Sequence, residues 1–171
     1  MARQLTETAV TQIKTLIKSN IGQALIDVRT YRADAKVSTE PPPTESYFIA
    51  PEEHGYECPA IFIIDGGTDF RQSSEKSNCI NALMSIDVSV KVEDRDKYLL
   101  TTKAWRYQAA LHKVLDLTRL ASLDGTTTLF IRVKRIKPSG VYAYANAEKD
   151  STASFFFEYT LNLEVEYIEN F

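Results

Sequence analysis

The chain has 171 residues, of which 44% are hydrophobic, and a formal net charge of -3 at pH 7. That is apolar material for one full core, which at this size hides roughly two thirds of the unfolded surface. It is also too little positive charge for a general nucleic-acid binder, which needs a basic excess against phosphates. No apolar run approaches the ~20 residues of a membrane span, and residues Met1 to Asn20 lack a signal-peptide pattern. The expectation is a soluble protein made in the cytoplasm, with no membrane partner.

In chain order, the pattern opens with a helix. Thr6 or Thr8 can cap it, Glu7 suits its positive end, and Val10, Ile13, Leu16, Ile17 and Ile21 form an apolar stripe that Gly22 would end. Across Ala24 to Arg32, Ile26, Val28 and Thr30 alternate with Asp27, Arg29 and Tyr31, which fits a strand or a late helical turn; the β-branched face and the preceding Gly22 favour the strand. Residues 33–58 lose regular pattern, and Pro41, Pro42 and Pro43 remove three backbone donors in a row. They read as a long loop or arm outside the core. Pro59 to Ile64 is a short buried strand closed by Asp65-Gly66-Gly67, and residues 65–78 read as a projecting hairpin connection.

From Cys79 to Leu117 two periods meet. Ile80, Ala82, Met84, Ile86, Val88, Val90 and Val92 recur at every second residue, which predicts a long strand with one buried face. Leu100, Ala104, Tyr107, Leu111, Val114 and Leu115 then recur at helical spacing, with Asp94 or Asp96 placed to cap the helix. Asp124-Gly125 marks a turn before a strand over Thr128 to Lys137, and Pro138-Ser139-Gly140 opens another loop. The last strand alternates Phe155, Phe157, Tyr159, Leu161, Leu163, Val165 and Tyr167 with Phe156, Glu158, Thr160, Asn162, Glu164 and Glu166. The sum is α+β in a single domain: a mostly antiparallel or mixed sheet of about five strands, two helices packed on one face, and the order α-β-β-β-α-β-β. Asp87, Ser89, Lys91, Arg132, Lys134, Glu158, Glu164 and Glu166 fall on the other face.

The residues offer no catalytic set. Neither a phosphate-cradling glycine loop nor a dinucleotide fingerprint occurs. Cys58 and Cys79 supply neither a disulfide framework nor a four-ligand zinc site, and read as reduced, partly buried thiols. His54 lies beside Glu52 and Glu53 near Cys58, and reads as a solvated loop residue before a metal ligand. His112 stands one helical turn from Asp116, and a Cys79–His112 nucleophilic pair has no local signature. Asp65, Asp69, Asp94 and Asp96 occupy turn, hairpin-tip and cap positions that aspartate takes for backbone reasons. The basic run Arg132, Lys134, Arg135 and Lys137 is the best phosphate candidate. Glu158, Glu164 and Glu166 can pair with it across the sheet, which favours an ion-pair face. No catalytic residue, metal ligand or cofactor is expected.

The layout resembles that of the tail terminator or tail completion proteins of long-tailed bacteriophages. The residues that carry the likeness are Pro59 to Ile63, the long strand ending Val88-Ser89-Val90-Lys91-Val92-Glu93-Asp94, the helix Tyr98 to Leu117, and the closing Phe157 to Tyr167. The proline-bearing arm Ser38 to Cys58 departs from it, being longer than in small members. The resemblance implies a virion protein of the tail–neck junction, synthesised in the host bacterial cytoplasm. It would form a homo-hexameric ring that caps the tail tube, ends elongation and meets the head completion proteins, with DNA passing through the lumen. Its partners would be itself, the tail tube protein and a head completion or neck protein. Asp65, Asp69, Arg71, Glu75, Lys76, Pro41, Pro42 and Pro43 are the expected partner-binding residues. Arg132, Lys134, Glu158, Glu164 and Glu166 are the expected subunit interface. The rival readings are a head-side neck or stopper ring, a tail tube subunit and a small cytoplasmic enzyme.

Overall fold

Alternation of apolar and polar residues builds the longest strands, as expected. The computed structural model describes residues 5–32, 37–49, 56–70, 79–121, 127–142 and 154–170. Its elements are α1 (Leu5–Arg32), β1 (Tyr47–Phe48), β2 (Ala60–Phe70), β3 (Cys79–Asp94), α2 (Lys97–Leu115), β4 (Thr118–Ala121), β5 (Thr127–Tyr142) and β6 (Phe155–Asn170). On β3, Ala82, Met84, Ile86, Val88, Val90 and Val92 are all buried. They face the helices, and β6 answers with Leu161, Leu163 and Val165. β3 and β6 pair antiparallel along their whole length, from Cys79 opposite Asn170 to Asp94 opposite Phe155.

The six strands lie in the order β1-β2-β3-β6-β5-β4. β1 runs parallel to β2, Tyr47 opposite Ile61 and Phe48 opposite Phe62, and every other pairing is antiparallel. The protein is therefore α+β, a single domain with a mixed sheet and both helices on one face. Each fully buried Ile or Leu on that face contributes about 1.5–3 kcal/mol of transfer free energy.

The helices correct several expectations. Ala24 to Arg32 is the last part of α1, not a strand. Ile13, Ile17, Ile21 and Leu25 are buried at a four-residue spacing that continues the stripe, whereas Ile26 is exposed. Tertiary burial of the stripe overrides the β-branched alternation. Gly22 does not end the helix: a Cβ there would lie 3.4 Å from Pro41 Cγ, so it marks where the arm crosses α1. Thr6 and Thr8 lie inside α1 and do not cap it. α2 begins as expected, with Asp96 Oδ1 accepting the Tyr98 and Leu99 amides at 2.8 and 3.4 Å.

The strands correct others. Asp65–Phe70, expected in a connection, continues β2 through a bulge between Asp65 and Thr68. Gly67 has φ 110°, which only glycine adopts readily, and its amide donates to Asp65 Oδ1 at 2.9 Å. Pro138-Ser139-Gly140, expected in a loop, continues β5 by the same device, with a bulge between Pro138 and Val141 and Gly140 at φ 85°. β4 and β1 have no counterpart in the sequence reading. The arm is not outside the core, since Val37 and Tyr47 belong to it.

Candidate interaction surface

The sheet face away from the helices gathers the charged positions of β3, β5 and β6. Arg132 stands opposite Glu164, Phe130 opposite Glu166, and Lys91 opposite Glu158. Lys134 Nζ lies 3.4 Å from Glu164 Oε2, an exposed ion pair inside one chain. The Arg119 and Arg132 guanidinium groups lie 5.7 and 4.8 Å from the Phe130 ring centre, so the aromatic ring spaces two cations along this end of the sheet. Further along, Ser89 and Thr160 share a 2.8 Å hydrogen bond and Asn162 Nδ2 donates to Asp87 Oδ1. A groove of about 280 Å³ runs between Asp69, Ser85, Lys134 and Glu164. Of the expected interface residues, Arg132, Lys134, Glu158, Glu164 and Glu166 thus share one face.

One member of that face is not solvated. Lys91 is 1% exposed, the most enclosed charged side chain among the described residues. Its Nζ lies 5.2, 5.3 and 5.3 Å from the ring centres of Tyr56, Tyr142 and Phe156. Three segments distant in sequence therefore converge on one cation: the arm, the end of β5 and the start of β6. Ring faces attract a desolvated ammonium through their quadrupole. Tyr56 also packs on Phe62 and Phe48, extending this small second core on the outer face. Sequence reasoning missed it because a lysine in an alternating strand looks solvent-facing, and no local spacing links it to its rings.

The arm is fixed to the helix layer by side chains reaching its carbonyls. Arg106, buried on α2, donates to the Val37 carbonyl at 2.7 Å, and Tyr107 Oη donates to the Glu40 carbonyl. Burial pushes the Tyr107 phenol well above its usual range, with the Glu40 carboxylate adding to the effect, and burial pushes Tyr47 up to about 12. Pro42 is buried, Pro43 half-buried and Pro41 exposed against Gly22. Asp65 and Asp69 are exposed on β2, whereas Arg71, Glu75 and Lys76 lie outside the described residues. On the helix layer Tyr98 and Trp105 are exposed one above the other, beside Val28, around a groove of about 450 Å³. No sequence expectation covered that patch.

The candidates for chemistry stay apart. His112 Nε2 lies 3.7 Å from Asp116 Oδ2, and Asp116 Oδ1 accepts the Val133 amide at 3.0 Å, which ties α2 to β5. Asp94 pairs with Lys103 at 2.5 Å. Burial pushes its carboxyl up, but the Lys103 ammonium and the Asp96 and Arg95 amides outweigh that and hold it below the usual aspartate range. Cys58 is half-buried, and His54 and the side chain of Cys79 lie outside the described residues. Among the described residues, no group of three or more His, Cys, Asp or Glu side chains is placed to hold a metal ion. None of the described helices is long and apolar enough to cross a membrane.

Comparison with known proteins adds a structural likeness. No protein-family model matches the chain, and no curated protein matches it in sequence. Among solved structures it is similar to a chain of the virion of a native gene transfer agent particle. That match has 17% identity and a TM-score of 0.40, and covers 88% of this chain and 94% of that one.

Proposed function

We propose that the protein is a structural virion protein that assembles as a homo-hexameric ring at the tail–neck junction of a long-tailed phage. The ring caps the tail tube, ends its elongation and offers its other side to a head completion or neck protein. The observation that carries this reading is that the segments bearing the resemblance pair and pack into one continuous slab. β3 and β6 pair along their whole length, α2 packs against them from a capped start at Asp96, and β2 extends the sheet on the other side of β3. Such a slab holds surface segments in fixed positions, which suits a mechanical part.

The chemistry of the surface agrees with that role. A ring needs heterologous contacts, two different patches on each subunit. Arg132, Lys134, Glu158, Glu164 and Glu166 are the proposed subunit contacts. Asp65, Asp69, Arg71, Glu75 and Lys76, with Pro41, Pro42 and Pro43 held on the helix layer, are the proposed contacts with other proteins. A nearly neutral chain lets DNA slide through the lumen, where a basic lining would grip phosphates. The test is electron microscopy of the purified protein mixed with polymerising tail tube subunits. Rings seated at tube ends, with tubes of limited length, are expected; tubes that grow on unchanged and carry no cap would rule the reading out.

A further inference from the structure

The two ends of the sheet carry opposite charge. Among the described residues of the arm, β1 and β2 (37–49 and 56–70), the charged side chains are Glu40, Glu45, Glu57, Asp65 and Asp69, all acidic and all exposed. Among those of β4 and β5 (118–121 and 127–142), they are Arg119, Arg132, Lys134, Arg135 and Lys137, all basic and all exposed. These are the two outermost strand pairs of the sheet. Among the described residues, charge is thus separated laterally across the strands, five acidic side chains at one end and five basic ones at the other.

Among the described residues, both ends also have strand backbone that pairs with no further strand. β1 covers only Ile61 and Phe62 of β2, and β4 covers β5 only from Thr128 to Ile131. Beyond those points lie exposed Phe70 on β2 and exposed Val141 on β5. Pro138 and two bulges interrupt the open side of β5, so it offers no regular row of donors for another strand. Contact there runs through side chains and not through a continued ladder.

Register decides which side chains meet. Asp69 stands opposite Leu83, Leu83 opposite Glu166, Glu166 opposite Phe130, and Phe130 opposite Arg119. Asp69 and Arg119 are therefore at one level, at opposite ends of a single row that crosses the sheet. Rotation about an axis along the strands repeats the molecule without shifting levels. It brings Asp69 of one copy to the height of Arg119 of the next, with Arg132 two residues along β5 and its guanidinium 4.8 Å from the Phe130 ring of that row.

We infer that the acidic β1–β2 end of one copy docks on the basic β4–β5 end of a second copy, with Asp69 facing Arg119 and Arg132. This rests on the ring reading and names the occupant of its lateral contact, which takes Asp65 and Asp69 from the contacts with other proteins into the contact between subunits. Two different patches joined head to tail close into a ring or run on as a filament, and complementary charge fixes the level at which they meet.

The experiment uses two full-length charge-reversal chains, Asp65→Lys with Asp69→Lys and Arg119→Glu with Arg132→Glu. Association is measured by sedimentation after nuclease treatment, with circular dichroism melting as the check on folding; Asp69→Lys alone serves where the double change disturbs the Gly67 bulge. Each variant by itself is expected to associate about tenfold more weakly than the parent, or less still. The equimolar mixture recovers assembly, because one chain then carries two acidic ends and the other two basic ends and they alternate. Parent-like assembly by either folded variant, or a mixture that stays dissociated, overturns the inference and leaves the ring reading standing. A parent that never associates removes both.

Discussion

The two faces of β3 behave differently although they are the same strand. On the helix side, Met84, Ile86, Val88 and Val90 are all buried under α1 and α2 in a continuous apolar layer. On the other side the strand is divided: Ser85 stays exposed and Asp87 half-exposed, while Ser89, bonded to Thr160, and Lys91, among the Tyr56, Tyr142 and Phe156 rings, are buried. One face is a core made by solvent exclusion. The other is a polar surface, sealed at one end by an aromatic cage around a cation. The lesson is that burial on the outer face depends on segments far away in sequence, whereas burial on the inner face follows from spacing alone.

Substitutions separate the two faces by size of effect. Ile86→Ala removes a fully buried side chain from the inner layer and is expected to cost about 2–5 kcal/mol, read as a lower urea midpoint with an unchanged slope. Lys91→Ala empties the cage and is expected to cost about 2 kcal/mol, with a change in near-ultraviolet circular dichroism from Tyr56 and Tyr142. Mild acid tests the edge between the faces. Asp94 has a folded pKa below its unfolded one, so its contribution is complete above the ordinary aspartate range near 4 and is lost as pH falls through the lower folded value. Asp94→Asn should flatten that part of the stability–pH curve. Glu164→Gln, which breaks only the exposed Lys134 pair, should change stability by less than about 1 kcal/mol, and that small change should vanish at high salt.

The same division governs what could be read from the sequence. β3, β6, α2 and the Asp96 cap were legible because each depends on local period and local hydrogen bonding, and so was the gathering of Arg132, Lys134, Glu158, Glu164 and Glu166 on one face. Ala24 to Arg32 was misread because its β-branched alternation is a weak local preference that the buried Ile17, Ile21 and Leu25 stripe overrides. β5 was cut short at Pro138 because a bulge with Gly140 at positive φ carries the strand past a proline. The cage around Lys91, and the anchoring of the arm by Arg106 and Tyr107, were not legible. Their partners meet only after the sheet has formed, and no spacing in the chain records that meeting.

The most direct measurement is the mass of the full-length protein in solution, by sedimentation equilibrium across a range of concentrations. A discrete hexamer, weakened by salt, is the predicted result. A monomer at every concentration, or polymers without a limiting size, would contradict the account.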